Sequence, residues 1–145
     1  MTTFVSREVA RDALAALLVA KGSWQTVYAY EPQDIKGHSP VATIRSLGTS
    51  YSNTFNISPT SFDVLVTNWV LLSDSEDPSA WGPAQAEDQL DALDKALREV
   101  VKDGAPGTGL VYVEFKDRPS AADATMISGL LYRIEDFYLE VGVNA

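Results

Sequence analysis

Residues 83–104 read PAQAEDQLDALDKALREVVKDG, and their spacing predicts one amphipathic helix. Ala86, Leu90, Leu93, Leu97 and Val100 recur every three or four positions, which is one apolar stripe on a helix. Pro83 suits the first helical position, where a missing N–H costs nothing. Gly104 suits the position just past the end, where a left-handed residue closes the last turn. The charges run the same way. Glu87, Asp88, Asp91 and Asp94 come early and Lys95, Arg98 and Lys102 come late, which complements the helix dipole. Asp91 with Lys95, and Asp94 with Arg98, form i,i+4 pairs worth roughly 0.2–0.5 kcal/mol each. The stripe needs a surface to lie on, and the β-rich runs on either side supply it.

Before this helix, Phe62 to Leu72 is the strongest strand. Phe62, Val64, Val66, Val70 and Leu72 share one face; Leu65, Trp69 and Leu71 share the other with Asp63 and Thr67. Two apolar faces predict a central strand covered on both sides, with Trp69 in the core. Trp24 to Tyr30 and Val41 to Leu47 read as two further strands, pairing as a hairpin across the polar loop Glu31 to Pro40. Gly48 to Thr60 is rich in Ser, Thr and Asn but holds Tyr51, Phe55 and Ile57. So polar a stretch with aromatics is an extended hairpin arm or a partner-binding loop. After the helix, Leu110 to Lys116 is a strand and Asp117 to Asp123 a polar connection. Thr125 to Val141 is a last long strand, or two strands joined by a bend near Gly129.

At the start, Ser6 caps a helix running to about Ala20, and Gly22 ends it. Its second half, Ala13 to Ala20, is apolar all round. Either sheet and loops clamp it from both sides, or one side meets another subunit. The order is α-β-β-β-α-β-β. It predicts an α+β fold, a mainly antiparallel sheet with two helices packed on it. Residues 1–145 make a single domain, with the loop or hairpin arm at 48–60.

Composition narrows the function. The 145-residue chain is 46% hydrophobic and 21% charged, ordinary values for a domain with a real core. Its formal net charge is −9, and nothing supplies the basic stripe that a phosphate-gripping nucleic-acid reader needs. It has no Cys and one His, so disulfides and thiolate metal sites are excluded and an imidazole zinc site is disfavoured. The apolar run at Ala13 to Ala20 is too short to span a bilayer. Arg7, Glu8, Arg11 and Asp12 before it do not make the positive leader of a signal peptide. A soluble protein made in a cytoplasm is expected.

No catalytic set emerges. Gly104-Ala105-Pro106-Gly107-Thr108-Gly109 has the glycines of a phosphate-binding loop, but Leu110 and Val111 stand where Lys and Ser or Thr belong. It also joins a helix end to a strand, the reverse of the order that aims a helix N-terminus at phosphate. It reads as a helix-stop turn. His38 lies in a polar loop with no nucleophile nearby, which is a solvated histidine rather than a general base. Asp74, Glu76 and Asp77 lack the Gly and terminal Glu of a calcium loop. No carboxylate pair is singled out for hydrolysis. The expectation is no enzyme, no cofactor and no metal. Trp81, between an acidic loop and Pro83, either caps the helix entry or anchors a neighbour.

Taken whole, the chain resembles the tail terminator (tail-completion, minor tail) proteins of long-tailed bacteriophages. The resemblance lies in element order and length. An opening helix precedes VYAYEPQDIKGHSPVATI, then the strand SFDVLVTNWVLL, the single helix PAQAEDQLDALDKALREVV, and a closing strand that ends GLLYRIEDFYLEV. It covers nearly the whole chain and carries no functional residues to transfer. Head-tail connector and neck proteins of similar size are alternatives, as is a small cytoplasmic ligand-binding α+β domain. The resemblance implies a virion protein. Its homohexameric ring caps the tail tube, contacts the tail tube protein and the head-tail connector protein, and touches no membrane. DNA passes through such a ring without specific binding, and the acidity agrees with that. Interface candidates are Leu14, Leu18, Tyr51, Phe55 and Trp81.

Overall fold

A computed structural model describes residues 6–51, 59–72, 83–103, 110–116, 119–127 and 129–143. Two helices pack on one face of a six-stranded sheet. The elements are α1 (Arg7–Lys21), β1 (Thr26–Tyr28), β2 (Val41–Tyr51), β3 (Pro59–Leu71), α2 (Pro83–Asp103), β4 (Leu110–Phe115), β5 (Ala121–Ile127) and β6 (Leu130–Val143). The α+β class and the helix and strand order expected from the sequence are those observed, with the last long strand divided in two at Gly129, whose φ is 80°.

Local chemistry sets the helices. Ser6 Oγ accepts the Val9 N–H at 3.2 Å and starts α1. Gly22, at φ 77°, ends it and gives its N–H to the Val19 carbonyl. On α2 the whole predicted stripe is buried: Ala86, Leu90, Leu93, Leu97 and Val100. Each of its leucines contributes roughly 1.5–3 kcal/mol by leaving water. Asp94 and Arg98 approach to 3.5 Å as expected for neighbours one turn apart. The Arg133–Glu87 pair, at 2.8 Å, ties the start of α2 to β6, and Lys21 pairs with Glu99 to tie the two helices.

The sheet runs β1-β2-β3-β6-β4, with β5 also on β6. Its long pairs are antiparallel, β2 with β3 and β3 with β6. One pair is parallel, and here the sequence expectation is corrected. Thr26 pairs with Val41 and Tyr28 with Thr43 in the same direction, so β1 and β2 are not a hairpin. The cause is the loop between them. It crosses over the sheet, buries Ile35 completely, and re-enters at β1's own end. Strand β1 is also shorter than expected. Trp24 lies before it in the core, and its indole N–H donates to Asn68 Oδ1 at 2.9 Å.

Strands β4 and β5 lie end to end along the same side of β6. Val113 pairs with Val141 and Phe115 with Leu139; farther along, Ala121 pairs with Asp136 and Ile127 with Leu130. Together they form one edge strand, interrupted between Lys116 and Ser120. The expected polar connection is thus shorter, since Ala121 to Asp123 belong to β5.

Two cores result. The larger joins both helices to Phe62, Val64, Val66, Val70, Phe137, Leu139 and Val141. The smaller lies on the opposite sheet face, where Ile35 covers Val41, Trp69 and Tyr132. Trp69 and Tyr132 meet edge to face at 5.8 Å, and the Trp69 indole donates to Thr43 Oγ1. Strand β3 is therefore apolar on both sides because each side has its own cover.

Candidate functional site

The loop over the second core spans only one end of its sheet face. There His38 is structural: Nδ1 stands 3.0 Å from Thr26 Oγ1, and its carbonyl accepts the Tyr132 hydroxyl at 3.3 Å. Beyond that loop, toward the middle and the β4 side, the face is open. A groove of about 520 Å³ lies on it between Leu47 and Phe115.

Strand pairing assembles the groove. Asp63 on β3 sits opposite Glu140 on β6, and Glu140 sits opposite Glu114 on β4. Three carboxylates thus line up across three strands. Lys116 answers two of them, its Nζ 3.3 Å from Asp63 Oδ1 and 3.7 Å from Glu140 Oε1. At the Asp63 contact the charges attract but are out of line for a hydrogen bond, and Asp63 Oδ1 is otherwise shielded from solvent. The Tyr112 hydroxyl donates to Glu140 Oε2 at 2.8 Å. Burial pushes the Tyr112 hydroxyl pKa above its usual value, and the Glu140 carboxylate pushes it the same way. Tyr112 reaches this position because its partner is Gly142, where a Cβ would stand 2.1 Å from the ring. The groove is therefore acidic overall, with the exposed Leu47 at one rim and the edge of β4 near Phe115 at the other.

On the helix-covered face, Glu135 lies near the acidic first half of α2. Burial raises its carboxyl pKa, and Asp94, Asp91 and Glu87 add to the rise; its hydrogen bond from Ser120 Oγ at 2.9 Å opposes it. Among the described residues, no group of three His, Asp or Glu side chains is placed to hold a metal ion.

The interface residues read from the sequence fare differently. Leu14 and Leu18 are 0% exposed, which corrects their assignment to a subunit or partner interface. They point into this chain's own core with Ala10, while Leu17 packs partly buried beside them. The outer side of α1 is made instead by Val9 and Val19, 54% and 62% exposed. Tyr51 ends β2, with its backbone opposite Pro59. Phe55 and Trp81, the acidic loop and the glycine-rich turn lie outside the described residues.

Exposed apolar groups also lie outside the interface candidates. Met126 and Leu131 are direct partners across β5 and β6, and both remain open to solvent, Met126 at 66%. Leu130, at the turn, is exposed on the other face. Leu130 and Leu131 are adjacent in a strand, so they face opposite ways, and their position at the end of β6 places both at the margin of the two cores. No family model matches this chain, and no curated protein matches it.

Proposed function

We propose that this protein is a non-enzymatic virion assembly protein, a tail terminator of a long-tailed bacteriophage. Its copies close into a homohexameric ring that caps the tail tube and meets the head connector. One observation carries the reading: exposed apolar surface at opposite lateral ends of the subunit. Helix α1 packs over β1, β2 and β3, and shows Val9 and Val19 outward. Strand β5 lies beyond β6 on the far edge and shows Met126, and the start of β6 beside it shows Leu130 and Leu131. Two unlike patches at opposite ends suit a head-to-tail contact, which closes into a ring when the rotation allows. The element order behind the resemblance adds support, and the net charge of −9 suits a bore that DNA must leave freely.

Mass measurement, alone and with tail tubes, tests the proposal. A ring is expected, at least on tubes. Val19→Glu and Met126→Glu are each expected to abolish it while leaving the fold intact. A strict monomer that ignores tubes sinks the proposal. The groove favours a second reading, a small ligand-binding domain. Thermal stabilisation by a single metabolite, without self-association, would select that reading.

A further inference from the structure

We infer that the free edge of β4 is a docking site for an extended segment of a partner protein, one that alternates cationic and apolar side chains. The inference goes beyond ring formation and does not depend on it. It starts from backbone groups. The Lys116 N–H points inward, donating to the Tyr138 carbonyl at 2.8 Å. In an antiparallel ladder successive residues alternate in direction. Val113 and Phe115, whose partners are Val141 and Leu139, therefore turn their N–H and C=O groups away from β6. Strand β4 closes the sheet order, and no strand among the described residues lies beyond it. Two donors and two acceptors are thus set in line for an added strand.

The side chains specify what that strand carries. A residue added beside Glu114 falls on the groove face, next to an exposed carboxylate. Asp63 and Glu140 stand behind it and share the single ammonium of Lys116. Three carboxylates against one cation favour a lysine or arginine there. Residues added beside Val113 and Phe115 fall on the helix face. Phe115 is 38% exposed there, its ring 6.3 Å from Phe137, so apolar side chains complete the cover. The interruption after Lys116 limits the docked length to about the span of β4.

The test uses three short peptides: alternating valine and lysine, alternating valine and glutamate, and the first with N-methyl groups on the backbone donors facing β4. Binding is read from backbone amide shifts of the isotope-labelled protein. The valine–lysine peptide should bind saturably, moving Val113, Glu114 and Phe115 most. N-methylation should weaken it more than about tenfold, since it removes the ladder bonds. Glu114→Lys, at an exposed position, should leave the spectrum of the fold intact and weaken the cationic peptide roughly three- to tenfold. The same change should strengthen the glutamate peptide. Shifts centred elsewhere, indifference to N-methylation, or a charge preference unmoved by Glu114→Lys would each overturn the inference. So would loss of self-association in Glu114→Lys without any peptide binding, because the edge would then belong to a second copy. If the ring fails to form but the peptide docks as described, only the ring proposal falls.

Discussion

The hydrogen bond between Trp24 and Asn68 offers a test with a calculable outcome. Asn68 is 0% exposed in the central strand, and its Oδ1 accepts the Trp24 indole N–H at 2.9 Å. Its Nδ2 has no hydrogen-bond partner among the described residues. Trp24→Phe keeps a ring in place but orphans Oδ1 as well, leaving a whole amide buried without a partner. An orphaned buried polar group costs about 1–3 kcal/mol, and the lost bond itself about 1 kcal/mol. The expected loss is therefore about 2–4 kcal/mol. Asn68→Leu orphans only the indole N–H and also removes the unpartnered Nδ2, so its cost should be smaller, about 1–2 kcal/mol. The double variant leaves neither group behind. It should be more stable than the sum of the single losses predicts, by about 1–2 kcal/mol. Urea unfolding of all four proteins, followed by both fluorescence and circular dichroism, measures each value. Additivity within about 0.5 kcal/mol would refute the reasoning. The contact would then be a distance without an energy.

Other outcomes follow from the same geometry. Leu14→Ala and Leu18→Ala should each cost about 2–5 kcal/mol in denaturant unfolding, the range for emptying a buried leucine site. Their assembly should suffer only in proportion to the fold, unlike Val19→Glu. Gly142→Ala places a methyl group 2.1 Å from the Tyr112 ring. It should cost about 1–3 kcal/mol and expel the ring, read as a changed Tyr112 ring signal by NMR; Tyr112→Ala should make the same change milder. Glu135 binds its proton more tightly folded than unfolded, because burial raises its pKa above 4.5. Its contribution therefore makes stability fall as pH rises from that value through the folded one. Glu135→Gln should flatten this part of the profile and leave the protein more stable than wild type at pH above it, as seen in urea midpoints across pH.

Repetition at short range made most of the fold legible. The stripe from Ala86 to Val100 has only one way to be buried together, and Ser6 and Gly22 name the ends of α1 by chemistry. The two-sided pattern of Phe62 to Leu72 announced a covered central strand. What stayed hidden depends on distant parts of the chain. The direction of β1 relative to β2 is set by where the Glu31–Pro40 loop crosses the sheet, and Ile35 alone in a polar stretch hardly announces that it buries completely. The apolar second half of α1 points to Leu14 and Leu18 as surplus surface, beside Tyr51, Phe55 and Trp81. Helix α2 and the sheet cover Leu14 and Leu18 fully. The exposed apolar surface lies instead at Val9, Val19, Met126, Leu130 and Leu131. The groove was illegible for a similar reason: Asp63, Glu114 and Glu140 are far apart in sequence, and only strand register brings them into one row.

The break in the outer strand makes two short zippers in place of one long one. From Lys116 to Ala121 the chain advances five residues while β6 goes only from Tyr138 to Asp136. The slack decouples the halves, so a slip in one is not passed to the other. Residues inserted between Lys116 and Ala121 would leave the pairing of β4 and of β5 with β6 unshifted. That makes it the natural place to splice in a tag or fluorophore. A molecule crowded by neighbours could then be watched from a position between the two ladders.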